Sequence, residues 1–164
     1  SGASPGDILC VTGRLGRSAA AIELFEAGEY ERANELFRFE PRIEAGRALA
    51  PHASAMIDSS DGLARSLHQL ATASDVGFAI DGSAIPVTVD LERYLGPGKR
   101  ALDVAITYGG DFELVCTMPA DTFEKTREAL SVPLAVVGTV EEPTAGVELD
   151  GEPLADEGYT HGRD

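Results

Sequence analysis

The sequence predicts an α/β (α+β) fold: a single domain in which helices pack on a mixed β-sheet. Short apolar segments that suit strands alternate with segments whose apolar residues recur at helical spacing. The 164 residues are enough to bury a core, and neither an internal repeat nor a linker divides them. The elements below are predicted from these patterns and from the residues that start and stop helices.

The first half of the chain is predicted to contain two strands and four helices. A helix beginning at Ser18 is expected to use that residue as its N-cap and to stop at Gly28, because hydroxyl side chains favour helix starts and glycine favours the position after a helix. Pro41 separates two further helices, since proline interrupts helical hydrogen bonding. In order, the elements are a strand at residues 7–12, a turn at 13–16, helices at 18–28, 30–39 and 43–49, a strand at 53–57 and a helix at 63–74.

The second half is predicted to contain more strands than helices. Pro119 favours the start of a helix, and Asp150-Gly151 favours a tight hairpin turn. In order, the elements are a strand at residues 76–80, a loop at 81–86, helices at 91–95 and 101–106, a strand at 112–118, a helix at 121–130, a strand at 134–140, a hairpin at 147–154 and a polar tail at 157–161.

Charge and composition exclude several classes of protein. The net charge of −15 at pH 7 opposes a nucleic-acid-binding surface, which needs a basic patch. It also opposes binding of bare phosphate, so a bound nucleotide would need a divalent metal. No apolar run approaches the length of a membrane span and no basic-then-apolar leader is present, so we expect a cytoplasmic protein without a membrane partner. Cys10 and Cys116 each lie in an apolar run, which predicts buried strand thiols rather than a zinc or redox site.

The segment from Ala53 to Leu63 is the strongest candidate for a functional site. A short apolar strand ends at Asp58, and Asp61 follows three residues later, immediately before a helix. Carboxylates at such a junction can bind Mg²⁺, and the N–H groups of a helix N-terminus can bind phosphate. Asp and Ser are also favoured N-cap residues, so this pattern by itself leaves a purely structural turn equally open.

Other motifs point less clearly to chemistry. Gly13 and Gly16 lack the third glycine of a dinucleotide-binding turn, and Lys99 is not followed by the Ser or Thr of a P-loop. Asp58 could instead be a strand-end nucleophile of the aspartyl-phosphate type, although Ser60 stands where such enzymes have a second Asp. The glycine pair before Asp111 would let the backbone approach a ligand, or would simply form a tight turn.

Seven groups of residues along the chain together indicate a family. They are Ser1-Gly-Ala-x-Pro-Gly-Asp7, Val11-Thr-Gly13-x-Leu-Gly16, Pro41-Arg42, Ile57-Asp58-x-Ser60-Asp61-Gly62-Leu63, Ile80-Asp81, Gly109-x-Asp111-Phe112-Glu113-Leu114 and Gly158-Tyr159-x-His161. In this order they resemble the C-terminal domain of the thiamine-monophosphate kinase family, which is related to aminoimidazole ribonucleotide synthetase and selenophosphate synthetase. The Asp-x-Ser-Asp-Gly-Leu group is the most specific of the seven.

The resemblance implies an enzyme that uses ATP and Mg²⁺ to convert thiamine monophosphate into thiamine diphosphate by direct in-line phosphoryl transfer. It implies that Asp58 and Asp61 are metal ligands and that Ser60 contacts an ATP phosphate. It places the substrate at the turn of Gly110 and Asp111, with Tyr159 as an aromatic contact to the thiamine. No residue of this chain is assigned as a catalytic nucleophile, acid or base, because the family transfers the phosphoryl group directly.

The chain departs from the family in two respects. Many members have Glu at the position of Gly110, so a substrate contact made by that side chain must come from Tyr108, from Asp111 or from the backbone. The resemblance covers residues 1–164 as a C-terminal domain, and the family's N-terminal domain, with further metal ligands, part of the ATP site and the homodimer interface, is not in this sequence. We therefore expect a chain that folds alone but does not turn over. A related ATP-dependent synthetase with another substrate and a non-catalytic binding module remain the alternatives.

The acidic composition leads to a first prediction. Many acids with only two lysines, Lys99 and Lys125, are typical of proteins from high-salt cytoplasm, and an acidic protein of ordinary origin is the alternative. Because self-repulsion is weakly screened at low ionic strength, we expect the melting temperature to rise as KCl increases from millimolar to molar concentration. Calorimetric melting curves across that range test this, and a flat or falling melting temperature would show that repulsion does not limit stability.

Overall fold

The structure is a computed structural model that describes residues 1–159, and within this range seven strands form one sheet. The strands are β1 (Ile8–Thr12), β2 (Ala55–Asp58), β3 (Gly77–Ile80), β4 (Leu114–Met118), β5 (Leu134–Glu141), β6 (Val147–Leu149) and β7 (Glu152–Pro153). They lie in the order β2-β4-β1-β5-β3-β6-β7. Neighbouring strands are antiparallel except β3 and β6, which are parallel, so the predicted mixed sheet is confirmed.

Seven α-helices accompany the sheet in the described range. They are α1 (Arg17–Glu26), α2 (Tyr30–Phe37), α3 (Ile43–Leu49), α4 (Leu63–Ser74), α5 (Val89–Leu95), α6 (Lys99–Thr107) and α7 (Phe123–Glu128). The predictions for α3 and α4 are confirmed at both ends, and the predicted hairpin around Asp150-Gly151 is present as β6 and β7.

Alternation along the strands gives the sheet two apolar faces. Leu9 and Val11 of β1 belong to the larger core, which also contains buried residues of α1, α4, α5 and α6. Cys10 points to the other face, where it packs with Cys116 of β4 and with Leu49 of α3. Both thiols are fully buried, as predicted, and within residues 1–159 no helix is long and apolar enough to span a membrane.

Two sequence predictions near the later site are wrong. Ser18 is not the N-cap of α1, because the helix begins at Arg17 after Gly16, whose φ of 85° is left-handed. The strand predicted from residue 112 begins at Leu114, and Phe112 has a φ of 53° that no strand residue adopts. Both differences result from the side-chain contacts of Asp111 and Glu113, which are described below.

Candidate functional site

Three segments that are distant in sequence surround one cavity of about 660 Å³. They are the loop after β2, the turn between α6 and β4, and the end of the described chain. The lining residues are Ser60, Asp61, Thr107, Tyr108, Gly109, Gly110, Phe112, Gly158 and Tyr159. A second cavity, of about 760 Å³, lies beside Lys99 and Asp150 and contains none of the site residues predicted from sequence.

The loop after β2 is held against the start of β4 by the buried Ser59. The Ser59 N–H donates to the Glu113 carbonyl at 2.8 Å, and its Oγ accepts from the Glu113 N–H at 3.1 Å. Gly62 then enters α4 with a φ of 97°, and a Cβ there would lie 2.7 Å from the Thr107 carbonyl oxygen. Only glycine fits this close approach. Gly62 therefore lets the loop that carries Ser60 and Asp61 pass close to the Thr107 carbonyl between β2 and α4.

The glycine turn packs directly on that loop. The Gly110 N–H donates to the Ser60 carbonyl at 2.8 Å, and a Cβ on Gly109 would collide with the same oxygen. Gly110 has a φ of 94°, and a Cβ there would lie 3.1 Å from Ser18 Oγ. The turn therefore reaches the loop with backbone alone: the close approach excludes a side chain at Gly109, and the positive φ favours glycine at position 110.

Asp111 lies beneath the cavity rather than on its wall. Its buried carboxylate accepts hydrogen bonds from the Gly16 N–H at 2.6 Å and the Ser18 N–H at 2.9 Å, and it thereby caps α1. Burial raises the pKa of this carboxyl above its usual value, although the backbone N–H groups favour the ionised form and act in the opposite direction. The structure thus gives the Asp111 side chain a role in supporting the turn.

Glu113 forms a buried ion pair that ties four segments together. Arg42, which precedes α3, contacts both carboxylate oxygens of Glu113, at 2.7 Å each. Thr12 at the end of β1 donates from Oγ1 to Glu113 Oε2 at 2.6 Å, and a Cβ on Gly13 would collide with the carboxylate. The ion pair raises the pKa of the Arg42 guanidinium above its usual value.

Phe112 lies between these two buried carboxylates and points outward. Its ring lines the cavity and stacks on Phe39, with centroids 4.7 Å apart and planes 16° apart. The Arg17 guanidinium carbon lies 5.7 Å from the Phe39 ring centroid on this stack. Phe112 is therefore an aromatic part of the wall whose orientation is set by its neighbours.

The end of the described chain closes the cavity through backbone contacts. The Tyr159 N–H donates to the Asp61 carbonyl at 3.0 Å, and a Cβ on Gly158 would collide with that oxygen. The Tyr159 ring is 57% exposed, so the attachment does not depend on burial of the ring. His161 of the same motif lies outside the described residues.

The two acids predicted as metal ligands are three residues apart in the chain. Asp58 is exposed at the end of β2, and Asp61 lines the cavity. Among residues 1–159, no three His, Cys, Asp or Glu side chains converge into a group that could hold a metal ion. Carboxylate oxygens are ligands that Mg²⁺ accepts, so a magnesium ion held by Asp58 and Asp61 would need further oxygen ligands beyond these two.

Four of the residues predicted from sequence, Ser60, Asp61, Gly110 and Tyr159, line the cavity. Asp58 and Asp111 are not among its lining residues. The buried pair of Glu113 and Arg42, the Ser59 contacts and the Phe112 ring were not assigned a role. Arg42, Phe112 and Glu113 were signalled only by their places in the matching motifs, and Ser59 stands at an unmatched position. The hydrogen bonds that reveal the supporting contacts join residues 54 to 101 positions apart.

Comparison with known proteins identifies related sequences. The family model described as AIR synthase related protein, C-terminal domain, matches residues 4–150. The thiamine-monophosphate kinase of Halobacterium salinarum is 56% identical over 162 residues, which are 98% of this chain and 55% of that protein. The Escherichia coli thiamine-monophosphate kinase is 37% identical over 180 residues, 98% of this chain and 54% of that protein. This chain thus spans about half the length of these relatives.

Solved structures share the fold. Thiamine-monophosphate kinase from Stenotrophomonas maltophilia K279a superposes with a TM-score of 0.82 at 32% identity, covering 93% of this chain and 52% of that one. The structure of AaThiL complexed with AMPPCP and TMP gives a TM-score of 0.82 at 29% identity, covering 98% of this chain and 53% of that one. These structures confirm the predicted fold class.

The buried ion pair gives a second prediction, about stability. In Glu113→Gln the Arg42 charge loses its partner in a site where the side chains of Arg42 and Glu113 are only 15% and 4% exposed. We expect a loss of about 3 kcal/mol in the free energy of unfolding, because an unpaired buried charge is costly. Urea unfolding of this chain measures it.

The matched control is Glu44→Gln, which breaks an ion pair with Arg47 whose side chains are 80% and 74% exposed. Exposed pairs of this kind contribute less than about 0.5 kcal/mol. Equal losses in the two variants would contradict the supporting role of Glu113.

Proposed function

Because this chain belongs to the AIR synthase related protein family, as its C-terminal domain, we propose that it is the C-terminal half of a thiamine-monophosphate kinase. The proposed reaction is the ATP-dependent phosphorylation of thiamine monophosphate to thiamine diphosphate by direct in-line transfer. The observation that carries the proposal is the convergence of Ser60, Asp61, Gly110 and Tyr159 on one cavity. These positions are the ones to which the family resemblance assigns ATP, metal and substrate contacts.

Phosphoryl transfer suits the groups found here, because it requires positioning and charge neutralisation rather than a protein nucleophile. In the proposed complex, Ser60 donates its hydroxyl to an ATP phosphate. Among residues 1–159, no side chain caps the N-terminus of α4, so its first N–H groups can also donate to phosphate. Gly109 and Gly110 allow the substrate to approach the backbone, and the Tyr159 ring offers its face to the cationic thiazolium.

Asp58 and Asp61 would hold Mg²⁺ in this enzyme. The bound ion neutralises phosphate charge, which this acidic chain cannot do alone at a net charge of −15. A complete ligand set needs donors beyond these two carboxylates. We propose that an N-terminal half, corresponding to the part of the relatives that this chain does not span, supplies them together with the rest of the ATP site.

Two further parts of the proposal concern the complete protein. We propose that it is a homodimer through the N-terminal half, as the family resemblance implies. We also propose that it works in the cytoplasm, where its substrate ATP is available. Size-exclusion chromatography with light scattering and cell fractionation test these two statements.

A third prediction tests the kinase function and the role of Asp61 together. We expect the complete protein to convert thiamine monophosphate to thiamine diphosphate with ATP and Mg²⁺. Asp61→Asn should lower kcat at least about 100-fold, because a lost metal contact removes several kcal/mol of transition-state stabilisation. Its melting temperature should change little, because Asn has the size and shape of Asp and leaves the backbone hydrogen bond from Tyr159 unchanged.

Asp75→Asn is the matched control, because it makes the same charge change at the opposite end of α4. Asp75 has a left-handed φ of 55°, which asparagine tolerates well. A fully active Asp61→Asn enzyme would remove Asp61 from the metal site. Turnover of a different phosphoryl acceptor would favour a related synthetase, and nucleotide binding without turnover would favour a binding module.

A fourth prediction concerns Tyr159 in the complete kinase. The side chain of Tyr159 is exposed, and the Tyr159 N–H attaches this segment to the Asp61 carbonyl. Removal of the ring in Tyr159→Ala should therefore raise the KM for thiamine monophosphate and leave the KM for ATP unchanged. Tyr159→Phe and Tyr159→Trp should be nearly silent, since each keeps a ring face. A lower melting temperature with equal damage to both KM values would instead make Tyr159 a structural anchor.

A further inference from the structure

Tyr108 is the large side chain of the glycine turn whose role the matching motifs leave open. It follows the last residue of α6, and its N–H donates to the Val104 carbonyl at 2.9 Å, so its backbone is fixed. Its side chain lines the cavity, and the residue is 43% exposed. Within residues 1–159 its hydroxyl has no hydrogen-bond partner, whereas the Tyr94 hydroxyl donates to Glu29 at 2.8 Å.

The residues after Tyr108 cannot provide the missing side-chain contact. Gly109 and Gly110 have no side chains, and their contacts with Ser60 and Ser18 leave no room for an added Cβ without displacement. The Asp111 carboxylate is occupied at the N-terminus of α1. Of the alternatives to the family's Glu at position 110, Tyr108 is thus the side chain that reaches the cavity.

The Phe112 ring is less free than the Tyr108 ring to change its rotamer when a ligand binds. Its ring stacks on Phe39 at 4.7 Å, and its φ of 53° reflects the flanking contacts of Asp111 and Glu113. No ring contact is found for Tyr108 in the described part of the chain. Phe112 therefore acts as a fixed wall, and Tyr108 can adjust its χ1 and χ2 angles to a bound ring.

The proposed substrate decides the kind of ring that the cavity must hold. Thiamine carries a cationic thiazolium, and the face of an aromatic side chain attracts an organic cation.

We propose that Tyr108 is a specificity-determining residue that stacks on the cationic ring of the substrate. This proposal rests on the kinase function proposed above and adds a residue and a type of interaction to it. Stacking acts through the ring face, so the hydroxyl is dispensable. Tyr108 therefore contributes to recognition of the thiamine portion and not to binding of ATP.

The test is calorimetric titration of thiamine monophosphate into the complete protein with Mg²⁺ and a non-hydrolysable ATP analogue. Tyr108→Ala should raise the Kd about tenfold, in the range expected for a cation–π contact. Tyr108→Phe should stay within about threefold of the wild type, and the Kd of the ATP analogue should be unchanged in both. Tyr30→Ala is the control, because Tyr30 is 57% exposed and does not line the cavity.

Three results would overturn the proposal. The first is a wild-type Kd in Tyr108→Ala, and the second is an equal loss in Tyr108→Ala and Tyr108→Phe. The third is a parallel loss of ATP-analogue affinity. Absence of thiamine monophosphate phosphorylation by the wild-type protein is a separate result, which refutes the kinase function and the inference resting on it.

Discussion

The carboxylate of Glu113 is the constraint on which the candidate site depends. It binds Arg42 through both oxygens and accepts the Thr12 hydroxyl, so it joins the entrance of α3 to the end of β1. The backbone carbonyl and N–H of Glu113 both form hydrogen bonds with Ser59. Ser59 immediately precedes Ser60, which lines the cavity. The residue that forms the ion pair with Arg42 therefore also holds the cavity wall in place. A bidentate Arg–carboxylate pair is suited to this role because it fixes orientation as well as distance.

A second buried carboxylate, two residues earlier, explains the shape of the turn. Asp111 faces the N-terminus of α1 and Glu113 faces Arg42, so both side chains are directed into the protein. Phe112 lies between them with its ring toward solvent and a left-handed φ of 53°. Such a conformation is costly for a non-glycine residue and persists only where neighbouring contacts determine it. This strained conformation places the Phe112 ring on the wall of the cavity.

The parts of the fold that depend on local sequence were predictable. Helix α4 was predicted at both ends, since its apolar stripe and the preceding Gly62 are local signals. The start of α1 was not, because its cap is the carboxylate of Asp111, 93 positions away from Ser18. For the same reason β4 was predicted two residues too early: Phe112 and Glu113 read as strand residues until their distant partners are known. The site residues came from motif resemblance, whereas Glu113, Arg42 and Ser59 required the tertiary contacts.

The distribution of charge fits the proposal that this chain supplies only part of a phosphoryl-transfer site. Among residues 1–159, no basic side chain lines the cavity and no group of three metal-binding side chains is present. At a net charge of −15, phosphates bound there are expected to need accompanying cations. Two carboxylates bind Mg²⁺ weakly when the other ligands are water, and more tightly once phosphate oxygens and further acids join the set. In the proposed kinase, assembly of the metal site and binding of ATP are for this reason the same event. On this proposal, the half of the site in this chain is folded and supported by its own contacts, and it depends on the other half for its chemistry.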